Sequence, residues 1–279
     1  MTRRIYPFLT LFLVCFGLVA HGQVSLSLKA DKQRYLRYEK VNVRLTVRNY
    51  SGNTLVFHDK EDRIFFDVGQ IGGASARAFD KQANPAFGLV LGPGEAKTLL
   101  IAIDTLFDMQ KEGNYTIQAY LNHSRLPRTH MSKSVSVEVR DGKILLERNI
   151  GLPAVREDEV IKSIRLQLLK FRDIDDTIYC LRAEDDENVY ATIRLGPYID
   201  GDEPMMDIDG TSTVHVLLQA RPRLYIYTIL GFVGRKLKVR QQRNYTLDNG
   251  AVPYLQRRGD RVILRNGRIA IEGVDFNQE

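Results

Sequence analysis

The feature that most constrains this chain is a period of two. In VNVRLTV (41–47) the residues Val41, Val43, Leu45 and Val47 alternate with Asn42, Arg44 and Thr46. Successive side chains of an extended strand point to opposite faces, so this spacing describes a strand with one buried and one wet face. The same alternation recurs in VSLSLK (24–29), TLVFH (54–58), RIFFDV (63–68), KTLLIAI (97–103), YTIQAYL (115–121) and SVSVEV (134–139). Turn residues separate most of these runs by about ten positions, the punctuation of a β-sandwich. The first fold unit is therefore expected over residues 24–140, as part of an all-β protein.

Ahead of it lies a different pattern. Arg3 and Arg4 precede the apolar run FLTLFLVCFGLVA (8–20), which ends in Ala20-His21-Gly22. A charged start, a short apolar middle and small residues at the cut are what an export signal needs, and the run is too short to span a bilayer. Residues 1–22 are read as a signal peptide, the mature product as secreted or periplasmic, with no transmembrane segment after cleavage. Losing Arg3 and Arg4 lowers the formal net charge from +6 to +4. It also removes Cys15 and leaves Cys180, so no internal disulfide and no cysteine-based zinc site is available. Cys180 lies in the apolar stretch TIYCL, where a buried inert thiol is expected.

Gly92-Pro93-Gly94-Glu95 makes a tight turn between AFGLVL (86–91) and KTLLIAI, and Asp108, Gly113 and Tyr115 lead into YTIQAYL. On these residues the first unit resembles cysteine-free bacterial extracellular immunoglobulin-like domains. In that fold a tyrosine near the start of a late strand hydrogen-bonds back across a corner. Ile117 stands where antibody-type domains carry a cysteine. A looser likeness is to small bacterial proteinase-inhibitor sandwiches, which share the PGE turn and the G-x-Y strand start. The Gly- and Ala-rich stretch 69–88 has no clear period and lacks the Gly-Lys-Ser/Thr ending of a phosphate loop. It reads as a long loop at one end of the sandwich, a place where partners bind.

Residues 141–160 read as a linker, and 161–279 as a second β-rich unit, a small sandwich or meander. Its strands are expected at SIRLQLL (163–169), NVYATIRL (188–195), TVHVLLQ (213–219), RLYIYTI (223–229), RVILR (261–265) and RIAIE (268–272). Asp209-Gly210, Asn249-Gly250 and Asn266-Gly267 are turn dipeptides, the last placed to join the final two runs as a hairpin.

Charge is sorted in blocks here. Residues 173–209 hold twelve acids against only Arg182 and Arg194, and 210–270 hold twelve bases against Asp248 and Asp260. Within the acidic block, DGDEPMMDID (200–209) gathers Asp200, Asp202, Glu203, Asp207 and Asp209, a carboxylate set that calcium would favour. Within the basic block Arg235, Lys236, Lys238, Arg240 and Arg243, with Tyr245 among them, offer guanidinium and ammonium groups to an anion. The partner would be an anionic polysaccharide or an envelope protein. Nucleic acid is a poor partner for an exported chain. The plainest alternative is that both blocks are solvated faces.

No H-E-x-x-H and no G-x-S-x-G occurs. The mature histidines are His58, His123, His130 and His215, none in a metal-ligand pattern. The expectation is an exported non-catalytic binding or structural protein. The alternatives are a hydrolase using the acidic block and an inhibitor-like sandwich, and no cofactor other than calcium is expected.

Overall fold

In a computed structural model, the described residues are 23–58, 61–73, 75–79, 84–152 and 162–277. The proposed signal peptide and Cys15 lie outside them. The protein is all-β. Its first strands are β1 (Val24–Ala30), β2 (Arg34–Leu36), β3 (Asn42–Asn49), β4 (Leu55–Phe57), β5 (Arg63–Gln70), β6 (Leu89–Leu91), β7 (Ala96–Ala102), β8 (Gly113–Asn122), β9 (His130–Met131) and β10 (Val135–Arg140). Sheet β1-β3-β7 faces sheet β2-β10-β8-β5, to which β9 adds through β8, and β4 pairs with β6. Alternation dictates the core between the sheets: Val41, Val43, Leu45 and Val47 are essentially inaccessible, and Ile64, Phe66, Val68, Ile117 and Leu121 meet them from the other sheet.

The second half contains β11 (Lys143–Leu152), β12 (Lys162–Arg172), β13 (Thr177–Glu184), β14 (Val189–Pro197), β15 (Met205–Ile208), β16 (Val214–Arg221), β17 (Leu224–Val233), β18 (Lys236–Leu247), β19 (Tyr254–Arg258), β20 (Arg261–Arg265) and β21 (Gly267–Ile269). Two antiparallel meanders, β11-β12-β13-β14 and β15-β16-β17-β18-β21, pack face to face. Their shared core includes Leu166, Leu168, Leu181, Val214, Val216 and Leu230. The β19–β20 hairpin covers the outer face of the second meander, where Leu255 and Leu264 lie on Leu217, Tyr225 and Tyr227.

Three differences from the sequence reading have physical causes. Residues 143–152, expected to be linker, form the long strand β11, paired along β12. It is an edge strand in which Ile150 is the one buried side chain among 143–151, so no alternation of apolar residues marks it. The remainder of the expected linker, 153–160, lies outside the described residues. Strand β18 was also unmarked, because most of its exposed positions are charged and Leu237 and Thr246 are its buried ones. Finally, Asn266-Gly267 does not close a hairpin: β20 pairs with β19, whereas β21 pairs with β18. Asn266 does take a left-handed conformation, φ 56°, but the chain uses the turn to cross between layers. Asn249-Gly250, with φ of 49° and 79°, makes the tight turn its dipeptide implies.

Candidate functional site: the cleft between the two halves

The two halves meet at β2 and the turn that follows it. On β12 and β13, Leu169 faces Cys180 and Phe171 faces Ile178 across the ladder. Leu36, at the end of β2, completes a small buried cluster with Leu169, Phe171 and Cys180. Gly142 permits this approach, since a Cβ there would lie 3.1 Å from Leu169 Cβ and 3.4 Å from a Leu36 methyl. Burial, followed by the nearby charge of Glu39, pushes the Cys180 thiol up to about 12. The thiol is accordingly unreactive, as its apolar setting implies.

Charged groups surround this apolar joint. Arg194 on β14 grips Glu39 with two hydrogen bonds, Nε to Oε1 at 2.8 Å and Nη2 to Oε2 at 3.0 Å. It also donates to Asp173 and to the Arg34 carbonyl. Glu39 further accepts from Lys32 Nζ at 2.6 Å and from the Leu36 amide at 3.0 Å. A second brace centres on Arg182, whose side chain is almost fully enclosed. It donates to Gln167 Oε1 and to Asp141 Oδ1 at 2.8 Å, and pairs with Glu184 at 3.1 Å.

Between the braces the β2–β3 turn places Tyr38 at φ 67°. A left-handed conformation costs a non-glycine residue about 1–2 kcal/mol. The ring gains from two cations, with Arg37 Cζ 4.7 Å and Arg182 Cζ 5.6 Å from its centroid. Such strain at a ligand-accessible turn is a feature of functional sites. Beside it opens a cleft of 1140 Å³. Its walls are the β2–β3 turn, residues 104–110 ahead of β8, the β13–β14 hairpin with the start of β14, and residues 236–238 of β18, with Phe79 from the Gly-rich stretch at its rim.

Of the residues singled out in the sequence, Lys236 and Lys238 border this cleft. Arg235 lies in the β17–β18 turn, next to Gly234 at φ 59°. Arg240 lies across Gly231, where any Cβ would overlap its guanidinium. Arg243 is exposed farther along the strand. Lys236, Lys238, Arg240 and Arg243 make no ion pair among the described residues. Tyr245 does not stand free beside them: it packs edge-on against Tyr227, centroids 5.8 Å apart, under the β19–β20 hairpin. Tyr225 and Tyr227 are buried in the same cluster.

The calcium reading is not supported by the geometry. Asp200 accepts from Tyr198, Asp202 from Tyr179 and the Gln219 amide, Asp207 pairs with Arg257 at 2.6 Å, and Asp209 serves the Thr211–Thr213 turn. Glu203 joins none of them. Among the described residues no three His, Cys, Asp or Glu side chains are grouped to hold a metal ion. Four of the five carboxylates, Asp200, Asp202, Asp207 and Asp209, each take donors of their own.

Three of the mature histidines are built into the scaffold, while His58 is exposed. The ring nitrogens of His123 lie 3.2 Å from the Val56 amide and 3.0 Å from the Arg125 amide, of which a neutral imidazole accepts one, and His130 is buried on β9. His215 links Asp209 to Tyr227, with Nε2 3.2 Å from Asp209 Oδ2 and Nδ1 2.6 Å from Tyr227 Oη. A proton on Nε2 satisfies both bonds, since a carboxylate only accepts. Burial opposes ionisation of Asp209, but the donors Thr211, Thr213 and His215 outweigh it and hold the carboxyl at about 2.

A folded-state value below the ordinary 3.8 means that Asp209 contributes stability above pH 4 and that this is lost as pH falls towards 2. Asp209→Asn is expected to flatten the fall of the urea midpoint between pH 4 and pH 2. An unchanged slope would show that the carboxylate is not linked to folding.

The bracing residues of the joint escaped the sequence reading, although one signal pointed to them. Arg182 and Arg194 are the two lone bases of the acidic block, and both became braces of the joint. The chain matches no family model, no curated protein and no solved structure.

Proposed function

We propose that this chain is an exported, non-catalytic binding protein of the cell envelope or extracellular space, which holds an anionic partner on strand β18 and the cleft beside it. The observation that carries this reading is the row of exposed Lys236, Lys238, Arg240 and Arg243, which runs out from the cleft without ion-pair partners among the described residues. Fixed cations that no internal carboxylate neutralises give a surface an attraction for anions that salt screens. The reading of the first half as immunoglobulin-like is supported by the Tyr115 hydroxyl, which donates to the Lys111 carbonyl at 2.7 Å across the corner before β8. Export rests on the pattern of residues 1–22.

On a heparin-like column, retention of the mature chain is expected to fall with rising salt. It should fall again when Lys236, Lys238, Arg240 and Arg243 are changed together to Glu. Retention that neither salt nor the charge reversal alters would overturn the proposal.

A further inference from the structure

The cleft has a property that a basic patch alone does not require. It is lined by consecutive residues of two strands, Val189 to Ile193 on β14 and Lys236 to Lys238 on β18. Consecutive strand residues point to opposite faces, so a hollow that touches all of them runs along the strand edges. Both are open edges. Strand β14 ends its sheet, and β21 covers β18 only over Tyr245–Leu247, with one further bond from the Ala270 amide to the Asn244 carbonyl. Among the described residues, the stretch 236–243 has no strand paired to its outer side, although a bulge at Arg240 interrupts it and Gln242 Nε2 crosses to the Leu195 carbonyl of β14 at 3.0 Å. An uncovered edge presents a row of backbone donors and acceptors to any extended chain that fits.

Three further observations define the fit. Two enclosed polar atoms bordering the cleft, Thr192 Oγ1 and Arg165 Nε, have no hydrogen-bond partner among the described residues. Native structures seldom leave such atoms unsatisfied. Most of the cleft's acids are engaged: Glu184 by Arg182, Asp186 by Arg165 at 3.0 Å, Asp185 by the amides of Glu187 and Asn188 and by the Tyr190 hydroxyl, Glu39 by Arg194, Asp104 by the Val41 amide and Asp108 by the Gln110 amide. On β18, by contrast, Lys236 and Lys238 point away from the core side of Leu237, and Val239 is 44% exposed.

We infer that the partner is an extended polypeptide segment of alternating acidic and apolar residues, which adds as a strand to the open edge of β18. Its backbone continues the β17–β18 ladder. Its acidic side chains lie beside Lys236, Lys238 and Arg243, and its apolar ones cover Leu237 and Val239 on the side of Ala191 and Ile193. Eight residues span the edge, about 26 Å at roughly 3.3 Å per residue. Main-chain hydrogen bonds supply affinity and the alternating side chains supply selectivity. This deepens the anion-binding reading and rests on it.

The test uses the whole mature chain and a labelled eight-residue peptide alternating Glu and Val, followed by fluorescence anisotropy. The same peptide N-methylated at alternate residues keeps its charge and loses its amide donors. We expect saturable binding that weakens at least tenfold on N-methylation and at least tenfold in Lys236→Glu/Lys238→Glu, with melting temperature confirming that the variant is folded. Equal binding of the methylated peptide, or no peptide binding while heparin is still retained, overturns strand addition and leaves the anion-binding reading standing. Failure of both peptide and heparin removes both, and leaves the lysines as guards against edge-to-edge aggregation. Thr192→Val provides a second check, since loss of its hydroxyl should weaken the peptide and leave heparin retention unchanged.

Discussion

Phe171→Ala is expected to lower unfolding stability by about 3–5 kcal/mol. The ring is 1% exposed and fills the contact between the halves with Leu36, Leu169 and Cys180. It also lies beneath Arg194, whose Cζ is 5.5 Å from its centroid. Truncation removes the transfer energy of a large side chain and leaves a cavity whose walls belong to two different sandwiches, which limits collapse. Denaturant unfolding would measure the loss, and Phe171→Leu should recover most of it. A change under 1 kcal/mol would show that the joint contributes little and that the halves fold independently.

Arg194→Ala should cost about 2 kcal/mol, between the scale for exposed ion pairs and that for buried ones, since the guanidinium is part-buried. Glu39 is left with Lys32 as its one remaining cation, Asp173 loses its pair, and the Arg34 carbonyl loses a donor. Arg194→Lys should recover little, because an ammonium cannot reproduce the forked contact with both oxygens of Glu39. A double-mutant cycle with Glu39→Ala should show strong coupling between the sites. Additive effects would mean that the pair is screened by solvent and contributes nothing specific.

The Glu39–Arg194 pair joins residues 155 positions apart, and such separation explains what the sequence showed and what it hid. Strands such as 42–49 and 113–122 were legible because each buries one face, and the alternation appears in the string of residues itself. Strand β11 was not, because an edge exposes most of its side chains. The Asn266-Gly267 turn was visible but its pairing was not: turn chemistry reports local dihedrals and says nothing of which sheet the next strand joins. For the site, the cationic run on β18 was legible as composition. The cleft was not, since it exists only where the 36–42 turn, the 184–193 hairpin and residues 236–238 converge. The acidic run 200–209 shows the reverse failure, where nearness in sequence suggested a shared ion and the four aspartates each had a donor of their own.

The joint built around Leu36 has an evolutionary consequence. A leucine and a glutamate contributed by one sandwich are covered and gripped by an aromatic ring and a guanidinium from the other, so neither half is an exchangeable cassette. Any lineage that reshuffled one of them with a foreign neighbour would inherit a bare apolar spot and an unanswered charge. Substitutions on the two sides of the seam are therefore expected to drift together.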